Sequence, residues 1–103
     1  MISQLNCKSF WTISYKLNLG ETYRRMKDYE NAEKYLSEGL EGVKNVGNKY
    51  WEATGYFYFG RLYKDRGDKR TAKEYYIRAY NLLKSIGAER IAQAVLNEMW
   101  KIR

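Results

Sequence analysis

Few side chains in this sequence could carry out covalent chemistry. The chain has 103 residues, no histidine and a single cysteine, Cys7, so it offers neither a zinc-ligand set nor an internal disulfide. The sequence contains no nucleophile motif and no glycine-rich phosphate loop after a strand. Carboxylates such as Glu21, Glu30 and Asp65 stand at spacings typical of helix surfaces. We therefore expect no catalytic residues, no metal site and no cofactor, and the chain is not predicted to be an enzyme.

Basic residues outnumber acidic ones, 19 to 12, and give a formal net charge of +7. Several cations cluster along the chain, among tyrosines that could stack on nucleobases: Arg61, Lys64, Arg66, Lys69, Arg70, Lys73 and Arg78. This pattern leaves nucleic acid open as an alternative partner. Asp65, Asp68 and Glu74 dilute the cluster, however, and a basic balance also occurs in proteins whose surface lysines only maintain solubility.

The elements that position these side chains come from a unit repeated at an interval of forty residues. The two copies keep residue types as well as spacing: Leu19-Gly20-x-x-Tyr23 returns as Phe59-Gly60-x-x-Tyr63, and Asp28-x-x-x-Ala32 returns as Asp68-x-x-x-Ala72. Repeated units of this kind stack on one another and build an extended binding surface, not an enclosed reaction chamber. The repeat therefore favours a binding function over catalysis.

Apolar residues recur at helical spacing within each copy, as in Tyr56, Phe59 and Tyr63. The spacing predicts an all-α fold with two helices per copy and a fifth helix after the second copy. The expected bounds of the five helices are about 9–26, 29–46, 49–66, 69–86 and 88–102. The domain organisation follows as a weakly patterned start at 1–8, a first repeat at 9–47, a second repeat at 48–87 and a capping or partial third-repeat helix at 88–103.

Short polar residues mark the starts of some helices, and glycines occur within others. Asp28 and Asp68 suit the start of the second helix of each pair, where a side-chain oxygen can accept an unpaired backbone N–H. Gly20 and Gly60 fall in the middle of helices, where glycine costs about 1 kcal/mol relative to alanine. We expect a second helix to press against each glycine, with Ala32 and its counterpart forty residues on as the facing small surfaces.

With these residues placed, the sequence resembles the tetratricopeptide repeat family over roughly residues 9–87. The first copy matches the family pattern at Leu19, Gly20, Tyr23, Ala32 and Leu36. The unit departs from the pattern in being longer than the usual length of about 34 residues, as in a forty-residue variety of the family. The pattern's Trp is also replaced by Lys16 and Tyr56, and its Pro by Lys44 and Lys84. The resemblance implies an α-solenoid of two helical hairpins plus a C-terminal capping helix, and a noncatalytic scaffold or adaptor that binds proteins or peptides.

The resemblance also implies a concave groove lined by the first helix of each pair. Spacing from the mid-helix glycines, Gly20 and Gly60, selects the residues expected to face this groove. The candidate partner-binding residues are Leu17, Glu21, Arg24, Arg25, Phe57, Arg61, Lys64, Asp65, Asn97 and Lys101. This mixed but positive stripe suits an acidic peptide with one or two apolar anchors, although charges on an exposed helix are often only solvated. The Lys and Asn set that grips a terminal carboxylate in chaperone-binding members is not reproduced at Leu17, Glu21, Thr54 and Tyr58.

The two ends of the repeat array predict self-association. Trp100 stands where the repeat has glycine, and the fifth helix carries a wider apolar face than one neighbour needs. We expect a homodimer, with the contacts made by Phe10, Trp11, Leu96, Met99 and Trp100; the alternative is that Trp100 folds inward over the last hairpin. No apolar run approaches a membrane span or a signal peptide, so we expect a cytoplasmic location and no membrane partner.

Overall fold

The structure of the chain, a computed structural model, describes the backbone of residues 2–102 and the side chains of residues 14–102. The helices are α1 (Ile2–Arg25), α2 (Tyr29–Asn45), α3 (Lys49–Asp65), α4 (Lys69–Ser85) and α5 (Glu89–Trp100). No strand occurs among the described residues, and the all-α prediction is confirmed.

Helices α2 to α5 lie within about two residues of their predicted bounds. Helix α1 differs, because it begins at Ile2 and not near residue 9. No proline or glycine occurs between residues 2 and 9 to end the helix, so it continues toward the N-terminus beyond the repeated unit.

The helices form antiparallel hairpins that stack side by side. Helix α1 packs along α2, and α3 packs along α4. Contacts between α2 and α3 and between α4 and α5 join the hairpins, while α1 also touches α3 directly. The first helices of successive hairpins therefore lie next to one another on one face of a flat stack that measures 49 × 32 × 16 Å.

Side chains at the turns accept the first backbone N–H groups of the helices. Asp28 Oδ1 accepts the N–H of Asn31 at 3.3 Å, and Asp68 Oδ1 accepts the N–H of Thr71 at 3.2 Å, as predicted for both aspartates. Asn48 caps α3 in the same way, with a contact of 3.0 Å. These caps fix where α2, α3 and α4 start and keep the connecting turns short.

The two mid-helix glycines allow the helices of each hairpin to approach closely, as predicted. A Cβ atom added to Gly20 would lie 2.6 Å from Cγ of Leu36, and one added to Gly60 would lie 3.1 Å from Cδ2 of Tyr76. The facing side chain is in each case one helical turn beyond the predicted alanine. A larger residue pressing into the bare backbone fills the interface more completely than two small surfaces would.

Buried apolar side chains form two clusters along the stack. One contains Leu17, Leu36 and Leu62 and joins α1, α2 and α3; the other contains Tyr76 and joins α3, α4 and α5. The ring of Tyr63 packs against both clusters. The core is therefore continuous from hairpin to hairpin, which holds α1, α3 and α5 at fixed positions on their shared face.

Candidate functional site

An open pocket lies between α3 and α5 on the face that the first helices share, with α4 beneath it. Its volume is about 340 Å³. The lining is mostly apolar and aromatic, with two charged residues: Tyr50, Ala53, Thr54, Phe57, Tyr58, Arg61, Leu83, Ile91, Ala94, Val95 and Glu98. We call this pocket and the face around it the groove. Concave, apolar sites with a few polar groups are the usual form of a binding site.

Short side chains on the two helices create this space. Ala53 and Thr54 on α3 and Ala94 on α5 stand at positions where longer side chains would fill the gap. Phe57 forms a wall of the pocket, and its ring meets the buried ring of Tyr76 edge to face, with centroids 5.7 Å apart and planes at 64°. Because Tyr76 is fully buried, this aromatic wall is held in place before any ligand arrives.

A chain of ion pairs crosses the C-terminal halves of the three first helices. Arg24 on α1 pairs with Glu21 on the same helix at 2.8 Å and with Asp65 on α3 at 2.5 Å. Arg61 on α3 pairs with Glu21 and with Glu98 on α5, each at 2.8 Å. We call these five residues the ionic network. It ties α1, α3 and α5 together across the groove.

The network favours the charged forms of Arg24, Arg61 and Glu98. Hydrogen bonding to Glu21 raises the pKa of Arg24, and hydrogen bonding to Glu98 raises the pKa of Arg61. Burial opposes ionisation of Glu98, but hydrogen bonds from Arg61 and from the hydroxyl of Tyr76, at 2.7 Å, outweigh it and lower the pKa of Glu98. Removing one partner would leave a partly buried charge without its counter-ion, which is destabilising.

Arg61 connects the ionic network to the pocket. Its guanidinium lies over the ring of Phe57, 4.3 Å from the centroid, while its Nε and Nη2 atoms donate to Glu98. One end of the pocket, at the N-terminal halves of α3 and α5, is therefore apolar. The other end carries charge.

The structure brings most of the predicted groove residues together. Glu21, Arg24, Arg61 and Asp65 all belong to the ionic network, and Phe57 lines the pocket. Arg25 is exposed and makes a longer ion pair with Glu21 of the network, at 3.7 Å. Three other predicted groove residues are exposed and lie outside the network: Lys64, Asn97 and Lys101. The predicted stripe is less positive than expected, because the carboxylates of the network balance its guanidinium groups.

Two predicted groove residues are buried: Glu21, within the ionic network, and Leu17. The side chain of Leu17 is 0% exposed and belongs to the core. A Cβ atom added to Gly39 would lie 2.9 Å from the Leu17 side chain, and one added to Gly55 would lie 3.5 Å from it. Leu17 therefore fills the space left by these glycines and is not available to a partner.

The residues predicted for self-association lie in different environments in the structure. Phe10 and Trp11 lie outside the side chains that the structure describes. Met99 is buried in the core against α4, and Leu96 is partly buried. Trp100 is 70% exposed, so it does not fold inward over the last hairpin.

Glu98 is the most important site residue that sequence reasoning missed. The residues at the same register forty and eighty positions earlier are Tyr58 and Asn18, so the repeat gave no signal of a carboxylate here. A weaker signal was present in α5, where Ile91, Ala94 and Glu98 follow one another at helical spacing on one face. That face lines the pocket.

No helix in residues 2–102 combines the length and the apolar character needed to cross a membrane. In the described part of the chain, no three His, Cys, Asp or Glu side chains are grouped as metal ligands.

Stacked antiparallel hairpins with a continuous core, and with first helices side by side around a groove, define an α-solenoid. A family model of the tetratricopeptide repeat matches residues 11–85. The chain therefore belongs to the tetratricopeptide repeat family, which in general provides protein-interaction modules and is typically noncatalytic. Neither curated proteins nor solved structures gave a significant match to the chain.

Proposed function

We propose that the chain is a noncatalytic adaptor that holds a peptide segment of another protein in the groove. The observation that supports this most directly is the pocket of about 340 Å³ between α3 and α5, which opens on the face lined by the first helices. Its volume lies at the lower end of the range for ligand sites, about 300–1,000 Å³, and suits one large apolar side chain with the backbone on either side of it.

Rigid helices favour such binding energetically. Phe57 packs on buried Tyr76, and the ionic network fixes the three first helices relative to one another. A peptide that enters the groove therefore orders its own backbone but does not have to order the adaptor, which reduces the entropic cost of binding.

Protein is a better partner for this surface than nucleic acid. Three of the seven cations that cluster in the sequence are engaged within the protein: Arg61 lies in the ionic network, Arg66 pairs with Glu33 at 3.0 Å, and Arg78 lies over the ring of Tyr75. The ring of Tyr75 also stacks on Tyr63, with centroids 5.6 Å apart. These groups are engaged within the protein and are not presented together to a phosphate backbone.

The groove can be tested by filling the pocket. Ala94 is exposed and lines the pocket, so Ala94→Trp places a large ring in the space that a ligand would use without disturbing the core. Peptides are selected from a random library displayed on phage, with the folded wild-type chain as bait. We expect Ala94→Trp to weaken the selected peptides at least tenfold, because their apolar side chain loses its site.

Lys73→Trp provides the matched control, since Lys73 is exposed on α4, away from the pocket, and receives the same side chain. We expect it to bind the peptides as the wild type does. Equal binding by Ala94→Trp and by wild type would show that the groove is not the peptide site. Strong binding of mixed-sequence single-stranded RNA, with no peptide enriched, would favour nucleic acid.

We also propose that the chain self-associates through the end of the stack at which Trp100 is exposed. The support is the 70% exposure of the Trp100 indole, a large apolar surface that a second copy of the chain would bury. A cytoplasmic location stays a prediction from the sequence.

A further inference from the structure

The groove has two chemically different ends, and they lie at different distances from its cations. The apolar end is formed by residues of the N-terminal halves of α3 and α5, with Phe57 near the middle of α3. The charged end begins at Arg61 and Glu98, one helical turn further along. A peptide that spans both ends meets an apolar wall first and charges afterwards.

The charges of the ionic network are already satisfied within the protein. Three carboxylates, Glu21, Asp65 and Glu98, face two guanidinium groups, Arg24 and Arg61. Glu98 alone accepts two hydrogen bonds from Arg61 and one from Tyr76. An acidic group on a partner would have to displace these carboxylates in order to reach either arginine, and the network as a whole does not attract an anion.

A cation next to the network, on the last turn of α3, remains available. Lys64 is exposed, makes no ion pair among the described side chains, and lies close enough to Glu98 for its charge to favour the ionised form of that carboxyl. The side chain of Arg25 is 70% exposed, but it pairs with Glu21 at 3.7 Å. Lys64 follows Arg61 by one helical turn, beyond the charged end of the pocket, and its ammonium group is available to a partner.

Resting on the proposed function of the groove, we propose that its partner is a peptide in which a large apolar side chain and a carboxylate lie about three residues apart. The apolar side chain enters the pocket beside Phe57, and Lys64 binds the carboxylate. Phe57 and Lys64 are seven residues apart on α3, a rise of about 10 Å, which an extended peptide covers in about three residues.

The specificity comes from Lys64 and not from Arg24 or Arg61, although all three lie on the same helix faces. Charge complementarity is the physical basis. The ammonium group of Lys64 can still pair with a carboxylate of the peptide, whereas the guanidinium groups of Arg24 and Arg61 already pair with carboxylates of the protein. A basic residue at the same place in the peptide would be repelled by Lys64, whereas an uncharged amide would only lose the ion pair.

The test changes the peptide and the protein together. Peptides selected on the wild-type chain are synthesised with their acidic residue replaced by its amide, and each is titrated against wild type and Lys64→Gln. We expect the amide to weaken binding about three- to fivefold on wild type and to have no effect on Lys64→Gln, as for an exposed ion pair. We expect Lys64→Glu to select peptides with a basic residue at that place.

Lys73→Gln and Lys73→Glu make the same charge changes on α4 and should leave both titrations unchanged. Lys64 is exposed and unpaired, so its variants should fold, and thermal melting checks this. If Ala94→Trp abolishes binding but the amide has no effect on the wild type, this assignment of Lys64 is wrong and the groove still stands. If the peptides bind Ala94→Trp normally, the proposed groove itself is wrong.

Discussion

Lys27 is held in a backbone conformation that glycine occupies at the other three turns. Its φ is +66°, and the equivalent residues in the following turns are Gly47, Gly67 and Gly87, with φ between +74° and +87°. The hydrogen bonds are the same in both kinds of turn. The N–H of Lys27 donates to the carbonyl of Arg24, and the N–H of Gly67 donates to the carbonyl of Lys64, in each case three residues earlier. Lysine is therefore strained at a position where glycine is not.

Exchanging the two residue types should show this strain. We expect Lys27→Gly to stabilise the chain by about 1 kcal/mol, which corresponds to a rise in melting temperature of about 4 °C. The reciprocal control, Gly67→Lys, should lower stability by a similar amount, because no atom lies within 4 Å of a Cβ there and the cost is only conformational. Thermal melts followed by circular dichroism measure both. A Lys27→Gly variant no more stable than wild type would contradict the expectation.

At the scale of the helices, the ionic network adds a specific link to the apolar core. It joins α1 to α3 through Arg24 and Arg61, and α3 to α5 through Glu98. The pKa of Glu98 is lowered in the folded chain, so the contribution of Glu98 to stability is present above its unfolded pKa and is lost as the pH falls through the folded value.

Acid should therefore loosen α5 from α3. We expect the wild-type chain to lose stability as the pH falls from about 5 to 3, and Glu98→Gln to lose less over the same range. At pH 7, Glu98→Gln should be less stable by about 1–3 kcal/mol, since Arg61 loses a charged partner. Urea unfolding at both pH values measures this difference. Some acid sensitivity should persist, because the hydrogen bond with Thr71 also lowers the pKa of Asp68. If wild type and Glu98→Gln lost the same amount of stability between about pH 5 and pH 3, Glu98 would be excluded as a cause of the acid sensitivity.

At the scale of the whole molecule, one end of the stack has an unusual side chain. In register, Trp100 occupies the position of Gly20 and Gly60, against which a second helix packs in each hairpin. An indole in this position excludes an equally close helix. Its exposure leaves an apolar ring, next to partly buried Leu96, that a second copy of the chain could cover.

We expect the chain to form a homodimer that Trp100→Arg converts to a monomer. Burial of the two indoles supplies the main apolar contribution, so their replacement by a charged side chain removes it. Sedimentation equilibrium over a range of concentrations measures the association. Ile77→Arg, an equivalent change at an exposed apolar residue of α4, should leave the dimer intact. A wild-type chain that stays monomeric at high concentration would exclude this model of self-association.

Much of the architecture could be predicted from the sequence, because it depends on local patterns. The spacing of apolar residues, the capping aspartates and the mid-helix glycines act within one helix or between neighbouring helices. They were sufficient to predict the helices, the hairpins and the close approach at Gly20 and Gly60. The N-terminal extension of α1 carries no repeated pattern, so the repeat predicts a start near residue 9 and not the observed start at Ile2.

The sequence by itself determined the repeated helical hairpin, the family to which the chain belongs and the face on which the cations of the groove lie. Only the tertiary structure decided which of those cations are available. The pairs that Arg24 and Arg61 make across the groove join residues 37 to 41 positions apart, and they depend on how the hairpins stack. The burial of Leu17 against Gly39 and Gly55 depends on the same stacking. Helical periodicity identifies a face of a helix, whereas the neighbour that meets that face is set by packing between helices.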